Sequence, residues 1–242
     1  MGTNRARMLW TLCLCYERGL LYGSNEADLL RISSYTMKFI LGTKAGMTQV
    51  FDENGVCTPV TILKVEPAKV SQVKTTEKDG YVAVQIASGE QKDSRLSKAE
   101  KGHFGTGAKV VKEFRPKVGA EATVSTLEKG AALDAAVFVA GDTVEVSAVS
   151  KGKGFQGVVK RHGFGGGRRT HGQKHSEREP GAIGSTGFMR VIKGTRMAGR
   201  MGSDTVTVKN LKVVEVNTNE NILLVSGAVP GRKGTLVEVR GI

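Results

Sequence analysis

The chain has 242 residues with 36 Lys and Arg against 23 Asp and Glu, a formal net charge of +13, and 39% hydrophobic residues. That length and apolar share support one large or two modest folded domains and exclude disorder throughout. The three cysteines, Cys13, Cys15 and Cys57, offer no disulfide framework, and the lack of any Cys-x-x-Cys pair excludes a zinc-finger reading.

Taken in chain order, residues 1–36 stand apart. Arg5 and Arg7 precede an apolar run, Met8 to Tyr16, that is too short to span a bilayer and has no small-residue cleavage site after it. This stretch reads as a start placed too far upstream or a cloning remnant. The alternatives are a targeting segment, against which Glu17, Glu26 and Asp28 count, and a real appended segment. Met37 is the expected natural start, because Lys38-Phe-Ile-Leu-Gly42 opens a strand.

From there short strands alternate with turns. Asp52-Glu-Asn-Gly55 is a turn between extended pieces, and Val56 to Val65 is a β-branched strand with Pro59 confined to an edge or a strand start. Val70 to Thr76 alternates, and Lys78-Asp79-Gly80 turns the chain into Tyr81 to Ile86, giving an antiparallel meander. Ser97-Lys-Ala-Glu100 is a capping box before a short helix, and Phe104 to Lys109 is loop. Val110 to Phe114 and Glu121 to Ser125 are weaker strands, and Asp142 to Val149 is a strongly alternating one.

The basic segment begins at once after that strand. Between Lys151 and Ser203 the chain holds 12 of its 36 Lys and Arg and 14 of its 32 glycines, with only Glu177 and Glu179 as acids. Its net +10 leaves +1 for each of 1–36, 37–150 and 204–242. Solvated faces mix signs, so a one-signed, glycine-rich run has the electrostatic footprint of a nucleic-acid contact. Beyond Gly202 strands return in Thr205 to Val208, Leu211 to Val216, Ile222 to Val225 and Thr235 to Arg240, with turns at Asn217 to Asn221 and Pro230-Gly231. Strands on both sides of the insert, without strand-helix alternation, favour an antiparallel barrel, which removes exposed edges.

Within the basic segment, Gly152-Lys-Gly154-Phe-Gln-Gly157 follows a strand but lacks the helix and second parallel strand of a dinucleotide site. It reads instead as a basic loop whose glycines let backbone approach phosphates while Lys151 and Lys153 neutralise them. His162, His171 and His175 have no third metal ligand at a convincing spacing, Glu179 being the nearest candidate, so no metal is expected. They suit base stacking or hydrogen bonds to phosphates and 2′-hydroxyls. Lys160-Arg161 and Arg168-Arg169 are dense cationic pairs, and Lys174 and Arg178 follow. Arg190, Lys193, Arg196 and Arg200 recur every three or four residues, which fits a helix face or an extended arm. Gly194, Gly199 and Gly202 weaken the helix by about 1 kcal/mol each. No phosphate loop or nucleophile elbow occurs. A rival reading makes the chain an RNA-processing or modifying enzyme using these histidines as acid or base, and a second makes it an architectural DNA-binding protein.

Five blocks carry a family resemblance. They are Met37-Lys-Phe-Ile-Leu-Gly-Thr-Lys-Ala-Gly-Met-Thr-Gln49, Ser150-Lys-Gly-Lys-Gly-Phe-Gln-Gly-Val-Val-Lys-Arg161, Pro180-Gly-Ala-Ile-Gly184, Met197-Ala-Gly-Arg-Met-Gly202 and Gly227-Ala-Val-Pro-Gly231. In this order they resemble ribosomal protein L three of the bacterial large subunit, from Met37 to near Ile242. The resemblance implies a mainly β protein with a translation-protein-like antiparallel barrel, built from about 37–96 and 203–242. It also implies an inserted α+β portion at 97–150 and a Gly/Lys/Arg-rich extension at 151–202. Implied too are a structural role on large-subunit ribosomal RNA in the cytoplasm, early action in assembly, and the fourteenth and nineteenth large-subunit proteins as neighbours. No catalysis, cofactor, membrane or small-molecule substrate is expected. By position, Lys151 to Arg161 enters the RNA, His162 to Pro180 belongs to the extension, and Ile183, Gly184, Ser185, Thr186, Gly187, Phe188 and Met189 form a tip near the peptidyl-transferase centre. Relatives commonly carry a glutamine, which can be methylated, and Pro-Gly in this tip. Ser185 to Met189 contains neither Gln nor Pro, and Phe188 offers a stacking or wedging contact there. An arm so poor in apolar residues is expected to be disordered without RNA.

Overall fold

The computed structural model describes residues 38–104, 107–116 and 127–242. The 1–36 segment, the start at Met37 and the strand expected at Glu121 to Ser125 lie outside the described residues. In chain order the described elements are β1 (Phe39–Phe51), β2 (Cys57–Val65), β3 (Ala68–Lys74), α1 (Thr76–Asp79) and β4 (Ala83–Glu90). Helix α2 (Lys98–Phe104), β5 (Ala108–Phe114), β6 (Ala132–Leu133), β7 (Thr143–Val149) and β8 (Phe155–Gln156) follow. The series ends with α3 (Val158–His162), β9 (Gly199–Arg200), β10 (Thr205–Asn217), β11 (Ile222–Ser226) and β12 (Leu236–Gly241). The protein is mainly β, with every strand pair antiparallel.

Six strands close into a barrel in the order β1-β12-β7-β10-β11-β2, and four others form a sheet in the order β5-β4-β3-β6. The two-residue side-chain period of a strand explains how one element serves both. On β1, Ile40 points into the barrel with Leu63, Val146, Leu223 and Val239. Its neighbours Phe39 and Leu41 point the other way, onto Val70, Val84, Ile86 and Phe114 of the second sheet. Phe39 stacks on Phe114 with ring centroids 4.5 Å apart. Ala135 and Phe138, just ahead of β7, add to the barrel core. Burying a side chain such as Leu63 or Leu223 contributes about 1.5–3 kcal/mol.

Local chemistry explains the joints. Gly55, at φ +76°, closes the β1–β2 turn, where Asp52 and Val56 also pair through their backbones. The capping box forms as the sequence indicates: Ser97 N–H donates to Glu100 Oε2 at 2.9 Å and Glu100 N–H donates to Ser97 Oγ at 3.3 Å. The Ser97 N–H, together with the Ser97 hydroxyl 3.0 Å from Oε2, holds the Glu100 carboxyl below its ordinary range.

The division of strands differs from the sequence expectation. Strands β3 and β4, assigned above to the barrel, belong to the second sheet, whereas β7, assigned to the inserted portion, closes the barrel between β12 and β10. Alternation reports that a strand has one buried face, but not which distant strand lies across from it. The two strands expected at 205–208 and 211–216 are one element, β10, with a register shift between Val208 and Leu211 and Asn210 at φ +59°.

Candidate nucleic-acid interface

The basic segment connects β7 to β10, and these strands are hydrogen-bonded neighbours, Val149 opposite Thr205. Topologically it is an enlarged hairpin loop, and both its ends leave the barrel at one place. The ladder continues outward: Ser150 N–H donates to Asp204 O at 2.9 Å, Lys153 N–H to Met201 O at 2.9 Å and Met201 N–H to Gly154 O at 3.0 Å. The β8–β9 pair, Phe155 opposite Arg200, extends it. Gly202 makes this root possible. Its φ is +80°, and a Cβ there would lie 2.2 Å from Lys151 O.

Beyond the root, α3 turns the outgoing strand back against the returning one. Arg161 Nη1 donates to Met197 O at 2.6 Å, and His162 Nε2 lies 3.0 Å from the same oxygen. Gly199 leaves the space that the Arg161 guanidinium occupies. Two side chains that the sequence suggests for RNA are thus engaged inside the arm, bolting its strands together. Val158, on the same helix, is buried.

Next comes a compact Gly-rich bend. Gly167 N–H donates to Glu177 O at 2.9 Å, and Arg169 Nε donates to Glu177 Oε1 at 2.9 Å. His171 sits at φ +58° and, like Lys174 and His175, is exposed. Every residue from 178 to 198 is exposed. Within that stretch a 3₁₀ turn, Thr186–Phe188, ends at Met189 in the left-handed region. Arg190, Lys193 and Arg196 lie on turns and irregular backbone, and only Arg200 lies on a strand, so the helix-face alternative for this set does not form.

The charge is largely uncompensated. Of the twelve arm cations, Arg169 pairs with Glu177 and Arg200 with Asp204 at 3.4 Å; the other ten make no ion pair among the described residues. Lys151, Lys153, Lys160, Arg168, Lys174, Arg178, Arg190, Lys193 and Arg196 therefore remain available to an anion. The far end adds apolar surface to this charge: Ile183, Phe188, Met189, Val191 and Ile192 are exposed, Met189 by 94%. Among the described residues no group of three or more His, Cys, Asp or Glu is placed to hold a metal ion.

This charged ribbon, open over its outer length and rooted between two barrel strands, lies wholly within the region that a family model described as Ribosomal protein L3 matches, residues 106–221. The large ribosomal subunit protein uL3 of Chlorobium phaeobacteroides (strain BS1) is 47% identical over 209 residues, covering 84% of this chain and 98% of the relative. The chain belongs to the ribosomal protein L3 family. Proteins of the same description from Bacillus mycoides (strain KBAB4) and Oceanobacillus iheyensis are 47% and 49% identical, each covering 84% of this chain and 96% of its own length. Ribosomal protein L3 is a structural, non-enzymatic family, so the histidines of the arm are not catalytic acids or bases.

Sequence reasoning missed three cations outside the arm. Lys44, on β1, donates through Nζ to Val229 O at 2.6 Å and Gly231 O at 3.3 Å. Burial, with Lys151 nearby, pushes its ammonium below the ordinary lysine range. Arg232 and Lys233 sit exposed on the turn that Lys44 holds. A single Lys in a strand and a two-residue basic turn carry no sequence signal that sets them apart from solvated surface.

Proposed function

We propose that this protein is a structural constituent of the large ribosomal subunit, with a translation-protein-like barrel as platform and residues 151–202 as an extension that binds ribosomal RNA. The observation that carries the reading is the arm itself: ten cations without an ion-pair partner among the described residues, four of them, Arg178, Arg190, Lys193 and Arg196, on backbone that is exposed continuously from 178 to 198. An isolated chain gains nothing from such crowding, whereas a polyanion neutralises it and releases its own counterions. Lys151, Lys153, Lys160, Arg168, Lys174, Arg178, Arg190, Lys193 and Arg196 take phosphates. His171 and His175 take phosphates or 2′-hydroxyls. Arg161, His162, Arg169 and Arg200 set the arm's shape and contact RNA with their remaining donors.

The tip, Ile183 to Met189, reaches toward the peptidyl-transferase centre, and Phe188 stacks on or wedges between bases there. The protein acts early in assembly of the cytoplasmic particle, beside the fourteenth and nineteenth large-subunit proteins. A tethered cleavage experiment tests the placement: Ser185→Cys, in a chain whose native cysteines are replaced by Ser, carries an iron chelate that cuts nearby RNA in reconstituted subunits. Cuts at peptidyl-transferase nucleotides are expected. Cuts confined to nucleotides remote from that centre overturn the placement.

A further inference from the structure

We propose that the exposed turn carrying Arg232 and Lys233, pinned by Lys44 at the foot of the arm, is a second binding site for RNA phosphates. The proposal rests on the RNA reading of the arm and adds a contact that the arm's own charge does not supply.

Three observations carry it. The turn is built rather than loose: Gly234 N–H donates to Lys44 O at 2.7 Å, Lys44 N–H donates to Thr235 O at 3.0 Å, and Arg232 N–H donates to Thr235 Oγ1 at 3.0 Å. Lys44 Nζ then ties Val229 O and Gly231 O from the other side. A turn held at both ends gives up little further freedom when it takes a ligand, which favours binding. Second, Lys44, Lys151, Arg232 and Lys233 enter none of the ion pairs among the described residues. Third, the turn runs directly into β12, whose Val237 lies opposite Ala148, the last residue but one of β7, after which the arm begins. The turn therefore stands beside the arm's root, and an RNA backbone following the arm back to the barrel passes it. That continuity with one polyanion favours RNA over an acidic protein or a lipid surface.

The test measures binding of the full chain to in-vitro transcribed large-subunit RNA as a function of salt. Each lost phosphate contact makes the slope of log affinity against log salt shallower by about 0.7–0.9. The double variant Arg232→Gln, Lys233→Gln, altered only at exposed positions, is expected to lose two contacts, so its deficit relative to wild type shrinks about tenfold between 50 and 200 mM salt. Arg168→Gln in the arm is the control and loses about one contact. If Arg168→Gln flattens the slope and the double variant leaves it unchanged, the foot site is wrong and the arm reading stands. If the wild-type chain binds matched duplex DNA as tightly as the RNA, the underlying reading fails and takes the proposal with it. Lys44→Met, which keeps both exposed cations and frees the turn, is expected to weaken binding with the slope kept. Unchanged affinity in that variant would refute the pinning.

Discussion

Leu63 and Phe188 represent two contrasting regions of this molecule: the first is fully buried in the barrel, the second is 64% exposed on the arm. In the barrel, each strand turns one face or both toward apolar neighbours, so its conformation is fixed by contacts within the chain. In the arm, hydrogen bonds fix the root through α3 and cross the Gly-rich bend at few points, and beyond them nothing among the described residues offsets the charge or covers the apolar tip. The difference teaches that one chain can divide its requirements, with burial setting where the arm starts and, on the proposed RNA reading, a polyanion setting where it ends.

The largest effect should separate the two regions outright. Leu63→Ala is expected to cost about 2–5 kcal/mol in chemical denaturation. Phe188→Ala should leave stability within about 0.5 kcal/mol and weaken RNA binding by about 1–3 kcal/mol, the range for a lost base stack. A stability loss for Phe188→Ala comparable to that of Leu63→Ala would break the contrast.

Gly202→Ala probes the joint between them. A left-handed backbone and a Cβ driven against Lys151 O should cost more than about 1 kcal/mol. The loss should appear as fraying of the β7–β10 ladder in amide exchange, with the second sheet unaffected.

Arg161 sharpens the division inside the arm. Because part of its guanidinium already serves Met197 O, Arg161→Gln should flatten the salt slope by less than Arg168→Gln does. Arg168→Gln should flatten the slope by about 0.7–0.9, about threefold in affinity between 50 and 200 mM salt. Equal slopes for the two variants would make Arg161 an ordinary phosphate contact.

The smallest effect belongs to the second sheet. Glu113 accepts hydrogen bonds from Lys74 and from Tyr81, and the Lys74 bond is the main cause holding its carboxyl below the ordinary range. A depressed carboxyl stabilises the fold above its unfolded pKa, and that contribution disappears as pH falls through the folded value. Thermal melts of wild type and Glu113→Gln should therefore differ at neutral pH and converge in acid.

Most strands were legible in the sequence because alternation and turn chemistry are local: Asp52 to Gly55, the Ser97 capping box and Asp142 to Val149 all lie where their residues indicate. Which sheet a strand joins was not, since β7 pairs with β12 and β10 from the far end of the chain. The two-residue strands β6, β8 and β9 are too short to show a period. Of the site, net charge revealed the arm, and family resemblance suggested its tip. The engagement of Arg161 and His162 by Met197 O was hidden, because it joins residues 35 and 36 positions apart through one carbonyl.

The contrast between platform and arm is tested most directly by amide hydrogen exchange on the full chain, free and bound to large-subunit RNA. The expected result is strong protection of the barrel strands in both states, with residues 163–198 exchanging freely without RNA and becoming protected with it. Strong protection across Gly163 to Gly181 in the free chain, or an arm unchanged by RNA, would contradict the account.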